Sequence, residues 1–179
     1  QNSIDLAGFC TGIVEKKKVV DGRYIRPSDK VIGLASSGPH SNGYSLINYL
    51  IQRLKIVVKD NPELLTPTTI YAPVVNALLE EFDDIYAMAH ITGGGIPENL
   101  PRCLPKGLKA HVDWNAWTRP EIFNIIQHEG NVDEMEMRRV FNLGIGYCVI
   151  VPDNIKYYVM DLIRQSGIDC YEIGEVYEH

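Results

Sequence analysis

Val31-Ile32-Gly33-Leu34-Ala35-Ser36-Ser37-Gly38-Pro39-His40-Ser41-Asn42-Gly43-Tyr44-Ser45 decides the fold. Its apolar start, Val31 to Ala35, reads as a buried strand. Beyond it Leu46, Ile47, Leu50, Ile51 and Leu54 recur at helical spacing and define one buried face. Between strand and helix, glycines let the backbone turn tightly and approach a neighbour closely. The arrangement recurs where a strand pattern over Ile85 to Ile91 delivers His90-Ile91-Thr92-Gly93-Gly94-Gly95-Ile96-Pro97-Glu98-Asn99. Where such a corner opens a helix, unpaired N–H groups and the positive end of the dipole favour an anion. Two of them in 179 residues point to a phosphorylated ligand.

Working outward, Ala7 to Val14 reads as a strand and Lys16-Lys17-Lys18 with Asp21-Gly22 as a solvated turn. Thr66-Pro67-Thr68 is expected to start a second helix, with Ile70, Tyr71, Val74, Val75, Leu78, Leu79 and Phe82 on its stripe. Pro97 and Pro101 leave room for a short helix at best. Leu108 to Val112 reads as a strand, and Thr118-Arg119-Pro120-Glu121 as a helix start capped by Thr118, with Gly130 as the stop. Asp133 to Val140 reads as a helix and Gly144 to Val151 as a central strand. Ile155, Tyr158, Val159, Leu162 and Ile163 predict a last amphipathic helix, ending at Gly167 before a strand over Tyr171 to Val176. Strands and helices alternate without a strict βαβ cadence, so the expected class is α+β (mixed α/β): one domain over 1–179, a mixed β-sheet flanked by helices.

Composition sets the outer bounds. With 45% hydrophobic and 22% charged residues, the chain is that of an ordinary globular domain. A net charge of −6 argues against general nucleic-acid binding, so an anion site must be local. Cys10, Cys103, Cys148 and Cys170 lack the spacing of a zinc site or a disulfide scaffold, and reduced thiols are expected. Cys10 and Cys148 fall in expected strands, where buried free cysteine is common. No run approaches the roughly 20 apolar residues of a membrane span. No signal peptide is read at Gln1-Asn2-Ser3, and the cytoplasm is the expected location. With no initiator Met, the chain is expected to be a piece of a longer protein.

Candidate site residues cluster in the corners. Ser37, Gly38, His40, Ser41, Asn42 and Gly43 offer hydroxyls, amides and an imidazole to a phosphate. A helix cap by Ser41 or Asn42 explains the same residues as well. The corner has neither the lysine of a P-loop nor the spacing of a Rossmann turn. In the second corner, Thr92 precedes Gly93, Gly94 and Gly95, whose backbone entropy costs favour close approach to a ligand or another chain. His40 and His90 have ordinary pKa values suited to proton transfer or phosphate contact. His111 and His128 lack such a setting, and His179 is terminal. Phe141-Asn142-Leu143-Gly144-Ile145-Gly146 is a third candidate, although glycines ahead of a strand equally suit a bulge or close strand packing. The acidic residues of Glu80 to Asp84 and Asp133 to Glu136 read as solvated helix faces, and no metal-ligand motif is present.

In this order and separation, these segments resemble the carboxy-terminal domain of the aminoimidazole ribonucleotide synthetase, or phosphoribosylformylglycinamidine cyclo-ligase, family. The likeness is carried by Asp5 to Phe9, Ser36 to Leu46, Leu65 to Thr68, Ala89 to Arg102 with Leu104-Pro105, and Phe141-Asn142 with Gly144 and Gly146. It implies ring closure in purine synthesis. ATP and Mg2+ activate the formyl oxygen of formylglycinamidine ribonucleotide as a phosphoryl ester, and the amidine nitrogen then attacks and expels phosphate. Phosphoryl transfer needs positioning and charge neutralisation above all.

The resemblance further implies an amino-terminal domain, absent from this chain, that carries the metal-binding segments, much of the nucleotide site and the homodimer interface. This chain alone is then expected to fold but to be inactive. By the same resemblance Ser37, Gly38, His40, Ser41, Asn42 and Gly43 hold a phosphate, Thr92, Gly93, Gly94 and Gly95 line a shared cleft with His90, and Asn142 is a further substrate- or phosphate-binding residue. His90 assists proton transfer. Two departures are visible: Thr69 where the family usually has Arg, and Leu143 where it usually has Cys. The rival expectations are another ATP-using member of the superfamily, of the formylglycinamide ribonucleotide amidotransferase or selenophosphate synthetase type, or a non-catalytic anion-binding scaffold.

Overall fold

Strand β1 (Lys30–Ala35) lies at the centre because its Val31, Ile32, Gly33 and Leu34 are buried on both faces. The computed structural model describes residues 7–178. Five strands, β1, β2 (Ala87–His90), β3 (Leu108–Val112), β4 (Ile145–Val151) and β5 (Cys170–Glu178), form one sheet in the order β2-β4-β1-β5-β3. Alternation along β1 feeds two layers. Val31 joins Ala87, Ala89, Ile91, Ile145, Cys148, Ile150 and Ile173 on one face. Ile32 and Leu34 join Val149, Val151 and Cys170 on the other. Helix α2 (Ala72–Glu81) and helix α6 (Lys156–Gln165) cover that second face with Val74, Leu78, Val159, Met160 and Ile163. The short α3 (Gly95–Asn99) brings Ile96 to the first face, where Leu100 and Trp117 join it.

A separate cluster packs α1 (Tyr44–Gln52), α4 (Glu121–Gly130) and α5 (Glu134–Val140) through Ile47, Leu50, Ile122, Phe123, Ile126, Met137 and Phe141. Each such buried aliphatic or aromatic side chain stabilises the fold by about 1.5–3 kcal/mol relative to exposure. This layer fixes where the first corner sits, because α1 grows directly from it.

The α+β class is as expected, with one narrower feature: all four strand pairings are antiparallel, where a mixed sheet was expected. The register slips between Leu34 and Ala35 opposite Tyr147 and Ile145, leaving Gly146 as the extra residue. Gly146 thus occupies the bulge that the glycines of this segment allowed.

Other boundaries move for identifiable reasons. Residues 7–14 form no strand: they are exposed, with Phe9 101% and Ile13 102% accessible, and no edge pairs with them. Cys10 is accordingly exposed, whereas Cys148 is buried in β4 as expected. Helix α2 begins at Ala72, because Pro67 and Thr69 are hydrogen-bonded to the first corner instead of starting a helix. Leu54 lies beyond α1 in the left-handed region at φ 54 and is exposed. Pro120 rather than Thr118 caps α4, whose end at Gly130 is as expected. Glu134 is no solvated carboxylate; Arg119 and Arg138 both donate to it. Asp5, Leu6 and His179 lie outside the described residues.

Candidate functional site

The first corner is built around His40, which is buried in the left-handed region at φ 56. Its Nε2 accepts the backbone N–H groups of Ser37 at 3.2 Å and Thr69 at 3.5 Å. Accepting at Nε2 in the neutral ring puts the proton on Nδ1, which is buried and unpartnered. Burial, with a further push from the nearby His90, takes the His40 pKa down to about 4. Here this residue is a neutral clasp between the corner and Thr69.

Ser37 Oγ donates to the Pro67 carbonyl at 2.8 Å, and Ser41 Oγ lies 3.4 Å from Thr68 Oγ1. Residues 66–70 thus belong to the corner, a partnership no local sequence signal announces. Ser41 is exposed and Asn42 half-buried. Neither caps α1: Gly43 does, at φ 78, with no side-chain hydrogen bond to the helix amides. The α1 amino terminus therefore keeps unpaired N–H groups beside Ser41 and Asn42.

In the second corner the three glycines have different tasks. A side chain on Gly95, at φ +58, would run into the Arg138 carbonyl oxygen, and one on Gly94 would meet Glu98. Only Gly93 is exposed, and a β-carbon there would lie 3.5 Å from Asn42 Oδ1. The two corners thus adjoin through Asn42 and Gly93. Asn99 holds this loop from within: its Nδ2 donates to the Gly95 carbonyl at 2.8 Å and to the Gly93 carbonyl at 3.2 Å. The Thr92 hydroxyl is turned to Asn99 Oδ1 at 3.3 Å. His90 ends β2, exposed, with its ring 6.0 Å from Tyr71 and 5.9 Å from Tyr147.

Asn142 is 1% exposed and fully engaged with its own chain. Its Nδ2 donates to the Gly38 carbonyl, and its Oδ1 accepts from Ser36 Oγ and the Gly144 N–H, each at 2.9 Å. In this structure the group ties the third segment to the first. Leu143 is buried beside it.

The open rim therefore comprises Ser41, Asn42, Thr68, Gly93 and His90, over a buried frame of Gly38, His40, Gly95 and Asn142, with Gly43 half-buried between them. Uncharged hydroxyls, an amide and helix N–H groups suit an anion that brings its own counter-ion. Among the described residues no group of three or more His, Cys, Asp or Glu gathers to hold a metal, and no helix is long and apolar enough to cross a membrane. A groove of about 460 Å³ beside Tyr24 and Tyr86 and one of about 420 Å³ beside Trp114 include none of the rim residues.

Comparison with known proteins concerns the chain as a whole. A family model described as AIR synthase related protein, C-terminal domain, matches residues 26–179. A phosphoribosylformylglycinamidine cyclo-ligase from a Synechococcus strain is 44% identical over 98% of the chain and 54% of the relative. The chain thus spans about half the length of the curated relatives it matches. Among solved structures, thiamine-monophosphate kinase from Stenotrophomonas maltophilia superposes with a TM-score of 0.64 at 12% identity, covering 93% of this chain and 52% of that one. T. maritima PurL, complexed with AMPPCP, superposes with a TM-score of 0.57 at 12% identity, covering 92% of this chain and 24% of that one. At such identities the structural likeness concerns the fold alone.

Proposed function

The chain belongs to the AIR synthase related protein family, as its C-terminal domain, and we propose that it is the carboxy-terminal half of a phosphoribosylformylglycinamidine cyclo-ligase. In that enzyme ATP would activate the formyl oxygen of formylglycinamidine ribonucleotide as a phosphoryl ester, and the amidine nitrogen would close the imidazole ring with loss of phosphate. The cyclo-ligase relative that is 44% identical over 98% of the chain supports this reading.

One observation carries the assignment of the site: Asn42 and Gly93 adjoin at the amino terminus of α1, whose first amides no side chain caps. Ser41, Asn42 and Thr68, with the α1 N–H groups, would hold a phosphate of the substrate or nucleotide, where the helix dipole favours negative charge. Gly93 would let that ligand lie against backbone, and His90 would face it from β2. Ser37, His40 and Asn142 shape the corner from behind. Mg2+ would be held by the amino-terminal half, since among the described residues no carboxylate cluster accompanies these donors. That half would also supply the homodimer interface and most of the nucleotide site. The chain alone would then be inactive, and a cytoplasmic setting fits the purine pathway.

Calorimetric binding of formylglycinamidine ribonucleotide and of ATP to this chain tests the proposal, alongside a Ser41→Ala, Asn42→Ala double variant. Binding by the parent and at least about tenfold weaker binding by the folded variant are expected, as for two lost polar contacts. Equal binding by both would remove the phosphate from the first corner.

A further inference from the structure

Tyr71 stands where four parts of the chain meet. Its Oη donates to the Ala35 carbonyl at 2.6 Å, where β1 gives way to the first corner. Its ring lies 6.2 Å from that of His40 in the first corner and 6.0 Å from that of His90, which leads into the second. Tyr147 of β4 packs on it at 5.2 Å. The bulge residue Gly146 leaves the space that Tyr71 Oη and His40 Cε1 fill; a β-carbon there would come within 2.6 Å of that Cε1. Tyr71 is 5% exposed and precedes α2, whose Val74 and Leu78 are anchored in the core. It is thus rigidly held, hidden from solvent, and in contact with the histidine of each corner.

Resting on the phosphate-cleft reading above, we infer that Tyr71 is a positioning residue that sets the spacing of the two corners, so that both grip one ligand. It does not touch that ligand. Its Oη fixes the ring to the end of β1, and the ring fixes His40 relative to His90. A shift of the ring would move Ser41 and Asn42 relative to Thr92 and Gly93, although every residue of the rim would remain. Cleft geometry of this kind must hold to a fraction of an ångström for two segments to act together.

Tyr71→Phe keeps the ring and removes only Oη. In the ligand-free chain it is expected to move the backbone amide resonances of both corners, 36–43 and 90–95. Leu78→Ala, buried two turns further along α2, should leave both sets in place. Gly146→Ala presses on the same Oη from β4 and should reproduce the two-corner displacement. With formylglycinamidine ribonucleotide as the probe, Asn42→Ala and His90→Ala should be coupled by about fivefold in the parent and by about onefold in the Tyr71→Phe background. Shifts confined to one corner, or coupling unchanged by Tyr71→Phe, would overturn the role. If the parent chain fails to bind the probe, the cleft reading falls, and the ligand-free resonances still decide whether Tyr71 links the corners.

Discussion

Asn142 reaches across the chain to Gly38, 104 positions away, and donates its Nδ2–H to the Gly38 carbonyl at 2.9 Å. The same side chain accepts from Ser36 and Gly144, so three pieces of backbone depend on one buried amide. Asn142→Ala removes all three bonds and strands the Gly38 carbonyl and the Gly144 N–H without water. Each buried group left unpaired costs about 1–3 kcal/mol, so a loss of about 2–4 kcal/mol is expected in urea unfolding. A change below about 0.5 kcal/mol would show that the clasp is not structural.

His40 links stability to pH. Its folded pKa is about 4 against the ordinary 6.5, so the unfolded chain binds the additional proton between those values. The contribution from His40 is therefore complete above pH 6.5, falls as the pH drops towards 4, and is lost below. A shift of this size corresponds to roughly 3 kcal/mol. Asp29 acts in the opposite sense, since burial raises its carboxyl pKa. The comparison to make is thus between slopes: His40→Asn, whose residue type tolerates the left-handed backbone, should flatten the pH 4–6.5 limb relative to the parent. Parallel limbs would mean that His40 titrates freely.

The parts of the fold that were legible in the sequence are those set locally. Val31 to Ala35 and Gly144 to Val151 are continuous apolar runs, and α4 and α6 carry clear helical stripes. Both corners announce themselves by glycine. What stayed hidden is set by distant partners. Tyr71 looks like one more apolar helix residue until Ala35, His40 and His90 surround it. Thr66 to Ile70 carries a plausible helix start, yet the acceptor on His40 and the donor on Ser37 draw it out of helical form. Ala7 to Val14 has a strand's composition, but composition cannot supply the sheet edge that a strand requires. Asn142 stood out only as a candidate ligand contact and Asn99 only as part of a corner, because a buried amide's bracing role is defined by the carbonyls it finds.

The glycines of the second corner separate structure from function. Gly95→Ala would press its methyl group onto the Arg138 carbonyl at a left-handed φ of +58, with no side chain able to yield. A loss of roughly 3 kcal/mol or more is expected. Gly107→Ala has the same backbone difficulty, at φ +85, but open space around it, so about 1–2 kcal/mol is expected. Gly93→Ala meets only Asn42 Oδ1 at 3.5 Å and should stay within about 0.5 kcal/mol of the parent. If Gly93 lines the cleft, that silent variant should nonetheless weaken ligand binding in calorimetry.

Gly146→Ala and Tyr71→Phe should behave as a pair. The added methyl of the first competes for the space that Tyr71 Oη and His40 Cε1 occupy against β4. Overpacking of this kind costs about 1–3 kcal/mol. The second variant alone loses the bond to the Ala35 carbonyl, worth about 1 kcal/mol. Combined, the missing Oη leaves part of the room that the methyl needs, so the double variant should be more stable than the sum of the single losses predicts. Thermal or urea unfolding of the four proteins measures that coupling, expected at about 0.5–1.5 kcal/mol. Strict additivity would mean that Gly146 is small for His40 alone, and that Tyr71 and the bulge in β4 are neighbours without consequence.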